Sequence, residues 1–417
     1  MKDSGIDWLP EVPATWRVVP FKHLFKEMDR PVREDDEIIT CFRDGEVTLR
    51  RNRREDGFTM ADKEIGYQHI AAGDLVVHGM DGFAGSIGIS DSDGKATPVL
   101  IVMNPLHDEY SRYFMYLLRV YAQLEVFLAT SSGIRVRSCA LNWKKLGSLP
   151  AVVPTTAEQR RIVDYLDERC AAIDEVRHTI EDEIEALRRL RKSTIHKAVT
   201  KGLDEGVPVR DSGVEWIGDI PETWDMVPNY AVFSDFKEGV GGRSDEYTLL
   251  SLTKQGVIVR DMDAGGKFPS SFDTYQVVYP GQMIFCLFDI DETPRTVGLS
   301  ENKGMITGAY DVFNVRESVC EARFALYWYL TVDEGKHLRP YYRSLRKTLT
   351  STMFRHVKMP LPPLNEQRRI TDYLDERCAA IDSVIDTRTQ QLQRLDDYRK
   401  ALIFAYVTGK KEVPSHE

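Results

Sequence analysis

Glu158-Gln159-Arg160-Arg161-Ile162-Val163-Asp164-Tyr165-Leu166-Asp167-Glu168-Arg169-Cys170-Ala171-Ala172-Ile173-Asp174 returns, 208 residues later, as Glu366 to Asp382. Sixteen of the 17 positions are identical, and Val163 against Thr371 is the single change. The same offset relates the head of the chain to its middle. Asp3-Ser4-Gly5-Ile6-Asp7-Trp8 matches Asp211-Ser212-Gly213-Val214-Glu215-Trp216, and Pro13, Thr15, Trp16 and Pro20 match Pro221, Thr223, Trp224 and Pro228. Nine of the 18 positions from 3 to 20 are identical. A chain of 417 residues is therefore one module written twice.

The near-identical runs read as helices. Thr155-Thr156-Ala157-Glu158 fits a capping box, with Thr155 as N-cap and Glu158 reaching back. Pro363 takes the matching first-turn place in the second copy. Apolar residues recur at helical spacing as Ile162, Leu166, Ile173, Val176, Ile180, Leu187 and Leu190, then as Ile370, Leu374, Ile381, Val384, Leu392, Leu395 and Leu402. Neither run meets Gly or Pro before Gly202 and Gly409, so each helix spans about 44 residues, or about 66 Å. The spacing predicts coiled-coil-like pairing of the two helices, with Glu183, Arg388 and Gln391 as polar interruptions of the seam. Antiparallel pairing would hold two globules at opposite ends of a rod. The end of the second copy would lead straight into the start of the first, so twofold pseudosymmetry is expected.

Between the repeated blocks the copies diverge. Gly73 to Val77 echoes Gly281 to Phe285, and Gly88-Ile89-Ser90 echoes Gly298-Leu299-Ser300. Short β-branched runs at 74–78, 97–103, 247–252, 276–279 and 282–287 predict strands, and 111–127 and 321–329 predict helices. The expected architecture is α+β (mixed α/β): two tandem globular domains, 1–154 and 206–362, with long spacer helices in 155–205 and 363–412 forming an antiparallel coiled coil. Similar ends with dissimilar middles suit a common scaffold that presents two different surfaces.

Composition narrows the function. Hydrophobic content is 42% and charged content 29%, as in soluble globular chains. No apolar run approaches the ~20 residues of a membrane span, and Met1 to Pro10 lacks a signal-peptide pattern. The six cysteines, at 41, 139, 170, 286, 320 and 378, form no CxxC pair and none has His at ligand spacing. Neither metal site nor disulfide framework is expected, and a reducing cytoplasm is the simplest home. No P-loop, dinucleotide fingerprint, GxSxG or HExxH is present. The Asp333-Glu334-Gly335-Lys336 run reads as a solvated helix end, and the acidic run Glu34 to Glu37 as a solvated loop. No catalytic constellation emerges.

Basic clusters are the candidate binding elements. Arg50, Arg51, Asn52, Arg53 and Arg54 put four guanidinium groups into five residues of a predicted loop. Arg suits phosphate oxygens and guanine edges, and Asn suits adenine. Near the end of each variable half a second group recurs: Arg135, Arg137, Asn142, Lys144 and Lys145, then Arg343, Arg346, Lys347 and Arg355. Net charge is −10 and no segment is strongly basic, so any grip on DNA must come from local patches, with partners supplying the rest.

Two variable halves, each closed by Pro-rich text and Glu-Gln-Arg-Arg-Ile opening a long helix, resemble the specificity subunit of type I restriction-modification systems. The carrying text is Met359-Pro360-Leu361-Pro362-Pro363-Leu364-Asn365-Glu366-Gln367-Arg368-Arg369-Ile370, with a weaker version from Leu149 to Ile162. The resemblance covers the whole chain and departs at Thr155-Thr156-Ala157. It implies that each half reads one part of a split double-stranded DNA target, and that the helices set the gap between the parts. It implies two modification subunits that methylate adenine with S-adenosylmethionine, and restriction (motor-nuclease) subunits that use ATP and Mg²⁺. No cofactor and no catalytic residue are expected in this chain. The outer helix faces at Arg160, Arg161, Tyr165, Arg368, Arg369 and Tyr373 are the expected partner contacts. Half-sites one B-DNA turn apart lie about 34 Å from each other, within the reach of a 66 Å rod. A coiled-coil adaptor that does not read DNA is the alternative.

Overall fold

A computed structural model describes residues 1–53, 64–130, 140–261, 269, 271–342 and 348–414. The chain divides into two compact units, Met1–Ile180 with Gln390–Glu417, and Glu181–Thr389.

In the first unit a four-stranded antiparallel sheet runs in the order Phe25–Glu27, Leu100–Pro105, Leu75–His78, Ile87–Ile89. Helix α1 (Ser111–Gln123) packs on it. It buries Tyr113, Phe114, Leu117, Leu118, Val120 and Tyr121. A helix apolar on so many sides needs a second cover. The long helix α2 (Thr156–Lys201) supplies it through Ile162, Val163 and Leu166, which share one core with α1. Helix α1 stops sooner than the sequence pattern suggests. Glu125 takes φ +57°, and a separate short helix, Val126–Thr130, follows.

The second unit repeats this plan. Its sheet order is Phe233–Phe236, Asp311–Val315, Gln282–Phe285, Val297–Leu299. Helix α3 (Ala322–Glu334) lies on it and runs five residues beyond the stretch the sequence suggests. Helix α4 (Leu364–Val407) covers α3 with Ile370 and Leu374. Even strand register is copied. Arg17 faces Val153 in one unit and Asp225 faces Leu361 in the other, each pair shifted by 208. The shift grows to 210 at Ile87/Val297 and 211 at Ser111/Ala322, then returns to 208 at Trp143/Ser351. Insertions are confined to the loops between those elements, where they cost little.

The long helices run antiparallel inside each unit. In the first, Arg399 Nη1 donates to Asp174 at 2.6 Å, Arg177 pairs with Asp396 at 3.2 Å, and Tyr165 meets Tyr406. In the second, Arg191 pairs with Asp382 at 2.9 Å and Glu183 with Arg388 at 2.9 Å. The polar seam positions Glu183 and Arg388 thus answer each other. Three members of the apolar stripe, Val176, Leu190 and Val384, stay nearly half exposed. A two-helix seam is narrower than the face of a helix packed on a globule, and the 3.6-residue period carries these positions off it. Ile184, Ile195, Ile403 and Tyr406 are buried instead.

Both long helices end on a left-handed glycine, Gly202 at φ +74° and Gly409 at φ +71°. A Cβ on Gly409 would lie 2.4 Å from Pro13 and 3.0 Å from Trp16. The glycine is required by conformation and by space.

Candidate nucleic-acid interface and helix frame

The repeated Glu-Gln-Arg-Arg-Ile text has a separate task for each residue. Trp16 Nε1 donates to Glu158 at 3.1 Å, and Trp224 Nε1 to Glu366 at 3.0 Å. Thr155 does cap its helix, accepting from the Glu158 N–H at 3.3 Å, but the Glu158 carboxylate turns to the buried indole rather than back to the cap. Gln159 and Gln367 are fully buried. Gln159 accepts from Tyr110 N at 2.8 Å and donates to Glu109 at 2.6 Å and Pro154 O at 3.2 Å. Gln367 accepts from Glu321 N at 2.8 Å and donates to Val319 O and Pro362 O. Each amide therefore pins the segment that starts α1 or α3. Farther along, Asp167 accepts from Arg112 and Tyr116, and Asp375 from Arg323 and Tyr327. Burial, then these hydrogen bonds to a carboxylate, push both tyrosine pKa values up.

The outward residues differ between units. Arg160 lies over the Tyr110 ring at 4.7 Å, and Arg161 is exposed. Tyr165 is half-buried, its ring 4.7 Å from that of Tyr406. Arg368 is exposed, Arg369 forks onto Asp204 at 2.9 and 3.1 Å, and Tyr373 is 42% exposed. The frame is therefore shared, while its decoration is not.

Among the basic candidates, Arg50, Arg51 and Asn52 form a 3₁₀ turn after a hairpin, Ile39–Cys41 with Val47–Leu49. Arg50 Nε donates to Thr40 Oγ1 at 3.3 Å and Asn52 Nδ2 to Thr48 Oγ1 at 2.9 Å. Arg51 pairs with Glu37. Arg53 pairs with Asp44 at 2.6 Å and Glu46 at 3.1 Å, and stacks over Phe42. Burial alone would raise the Asp44 carboxyl, yet the hydrogen bond from Arg53, backbone donors and the Arg53 charge hold it below the ordinary carboxylate value. Such exposed pairs are worth about 0–1 kcal/mol, which a phosphate can displace. The cluster flanks a cleft of about 850 Å³ whose lining includes Arg43, Arg50, Arg53, His78 and Asp81.

The late clusters are less uniform. Asn142 is the cap of the short helix Trp143–Leu146, accepting from Lys145 N at 3.0 Å. Lys144 is exposed beside it. Thr350 caps the equivalent helix, Ser351–Phe354, and Arg355 pairs with Asp235. Arg54, Arg135, Arg137, Arg343, Arg346 and Lys347 lie outside the described residues.

Two acidic stretches depart from the solvated reading. Asp333 is buried and accepts from Thr296 N, Thr296 Oγ1 and Lys336 at 2.7–2.8 Å. Asp36 is buried against the His69 ring at 2.9 Å. The local sequence offers no sign of either burial, because Thr296 and His69 lie 37 and 33 residues away in the chain. Among the described residues no three metal-ligating side chains cluster, and no helix is long and apolar enough to cross a membrane.

Residues 297–394 match the family described as the type I restriction modification DNA specificity domain. The putative type I restriction enzyme MjaX specificity subunit of Methanocaldococcus jannaschii is 24% identical over 92% of this chain and 94% of its own length. The MjaVIII specificity subunit of the same organism is 24% identical over 63% of this chain and 62% of its own. A chain solved in work on complex assembly and conformational transition of the type I R-M system superposes with a TM-score of 0.69 at 14% identity, covering 96% of this chain and all of that one. The HsdS subunit from Thermoanaerobacter tengcongensis gives 0.50 at 16% identity, covering 96% and 98%. The matched domain, one relative similar along nearly its whole length, and the shared fold make this chain similar to the type I restriction-modification specificity subunits.

Proposed function

We propose that this chain is the DNA-specificity subunit of a type I restriction-modification complex. It binds a split double-stranded DNA target, one part per unit, and is itself not an enzyme. One observation carries this reading: the two units copy each other's strand register and helix contacts while their exposed loops differ. A scaffold conserved to that degree, with surfaces free to diverge, is what reading two different half-sites requires. The exposed arginines of residues 43–53 suit phosphate and base contact in the first unit.

The duplicated helix starts offer two related docking frames, which supports recruitment of two modification subunits through Arg160, Arg161 and Tyr165 and through Arg368, Arg369 and Tyr373. Those subunits would bring S-adenosylmethionine, and restriction subunits would bring ATP and Mg²⁺. The test is a methylome of cells expressing this chain with its modification subunit. An adenine-methylated motif in two parts separated by a fixed gap is expected. Modification without a two-part motif would favour the adaptor reading, in which the chain joins proteins and leaves DNA unread.

A further inference from the structure

In each unit a hairpin passes close against two glycines, which lie on strands of two different sheets. In the first unit a Cβ on Gly88 would sit 2.0 Å from Gly45 O and 2.7 Å from Val47 Cγ2, and one on Gly94 would sit 2.5 Å from Glu37 O. The second unit has its hairpin at Leu250–Thr253 with Gly256–Val259. A Cβ on Gly298 would lie 2.6 Å from Val257 Cγ2, and one on Gly304 2.5 Å from Thr248 O. The faint Gly88/Gly298 echo in the sequence is this seat.

A guanidinium locks the tip of each hairpin, and it arrives from a different element in each unit. Arg119, on α1, donates through Nε to Ile87 O at 2.9 Å. Its Nη2 fills the space where a Gly45 Cβ would be, 1.6 Å from that point. Arg295, in the loop before strand Val297–Leu299, donates through Nε to Val297 O at 2.9 Å and through Nη1 to Lys254 O at 3.1 Å. Its Nη2 lies 3.3 Å from a Cβ built on Gly256. Ile87 and Val297 are equivalent strand positions, and Gly45 and Gly256 are equivalent turn positions.

The positions are exchanged, not merely different. The Arg112/Tyr116 and Arg323/Tyr327 contacts fix the register of α1 on α3, and Leu330 then stands where Arg119 does. Gly85 stands where Arg295 does, and its Cβ would lie 2.8 Å from Arg43 O. Burial lowers the pKa of both arginines, so holding a charge there is costly. Two units that reach one contact by separate routes, at that cost, point to a requirement at the hairpin tip. The tips carry Arg43 and Asp44 in one unit and Lys254 and Gln255 in the other, all exposed. Arg and Lys match guanine, Asp matches cytosine, and Gln matches adenine in the major groove.

We propose that Arg43, Asp44, Lys254 and Gln255 determine base specificity, and that Arg119 and Arg295 are positioning residues that fix the hairpin tips bearing them. This rests on the DNA-reading function proposed above. A reader must be held to within a fraction of an ångström for bidentate base contact. The hairpin strands are anchored in the core through Ile39, Cys41 and Val47 and through Leu250, and the guanidinium secures the exposed turn beyond them.

The experiment uses the full chain assembled with its modification subunits and a duplex DNA library of randomised sequence, with methylated molecules sequenced. Arg295→Ala is expected to reduce discrimination against single-base changes about tenfold in one half of the motif, and to leave the other half unchanged. Arg295→Lys should fall between. Arg295→Ala with Leu330→Arg rebuilds the guanidinium from the helix side and should restore discrimination. Lys254→Ala and Gln255→Ala should change the preferred base in that same half. If the tip variants shift preference while Arg295→Ala does not, the positioning role is overturned. If melting temperature recovers in the relocated variant but discrimination does not, Arg295 is structural only. If no tip variant shifts preference while the unaltered complex still selects a two-part motif, the hairpins are not the readers, and the DNA-reading function stands without them.

Discussion

The indole N–H of Trp16 lies 3.1 Å from the carboxylate of Glu158, and Trp224 stands in the same relation to Glu366 at 3.0 Å. Both indoles are buried, at 2% and 0% exposure. The head of each module is thereby tied to the start of its long helix.

Removing either carboxylate leaves a buried N–H without its acceptor. Glu158→Ala and Glu366→Ala should each cost about 1–3 kcal/mol. The two losses should add, since the sites lie in different units and share no partner. Urea unfolding of the single and double variants measures both quantities. A double variant no worse than either single one would show that the ties are not independent.

The cross-helix pair Glu183–Arg388, with side chains 45% and 36% exposed, should contribute little. A double-mutant cycle with Glu183→Gln and Arg388→Gln should give a coupling under about 1 kcal/mol that shrinks in high salt. The pair settles helix register more than it adds stability. A coupling of several kcal/mol, unmoved by salt, contradicts this.

Burial lowers the pKa of His78, His196 and His337, with Lys201 opposing protonation of His196, and His196 that of His337. His337 stacks on Trp216 at 3.9 Å, and His78 Nδ1 accepts the N–H groups of Met80 and Asp81, a role open only to a neutral ring. Their folded pKa values lie below the unfolded value of about 6.5, so the unfolded chain binds protons first as pH falls. The stability they contribute is complete above pH about 6.5 and is lost as pH falls through the folded values. The urea midpoint should drop between pH 7 and pH 5. His196→Gln with His337→Gln should flatten that drop, and an unchanged slope would exclude these two groups as its source.

If the helix starts are the docking frames, Arg161→Glu and Arg368→Glu should each remove one modification subunit from the assembled complex. Native mass spectrometry would then show a loss of one partner copy per variant, with the melting temperature of the isolated chain little changed, since both side chains are exposed. Retention of both copies in both variants places the contact elsewhere.

The duplication and the long helices were legible because near-identical text and apolar spacing are local properties. The tasks of Glu158 and Gln159 were not, although both stand in the most repeated run. A capping-box reading keeps Glu158 at its own helix end, and nothing local points to Trp16, 142 residues away. Val176, Leu190 and Val384 fit the apolar period yet lie off the seam, because spacing gives the stripe and not the width of its partner. Comparison of the copies hid the hairpin locks most completely. Arg119 aligns with Leu330 and Arg295 with Gly85, so position-by-position reading shows two unrelated substitutions where space holds one shared contact.

The central claim is that each unit reads its own part of the target. Its most direct measurement is the methylome of a hybrid in which residues 1–150 are replaced by the corresponding half of a relative with a different motif. The account predicts that one part of the methylated motif changes, while the other part and the gap between them stay the same. A hybrid that changes both parts, or an active hybrid that changes neither, would contradict it.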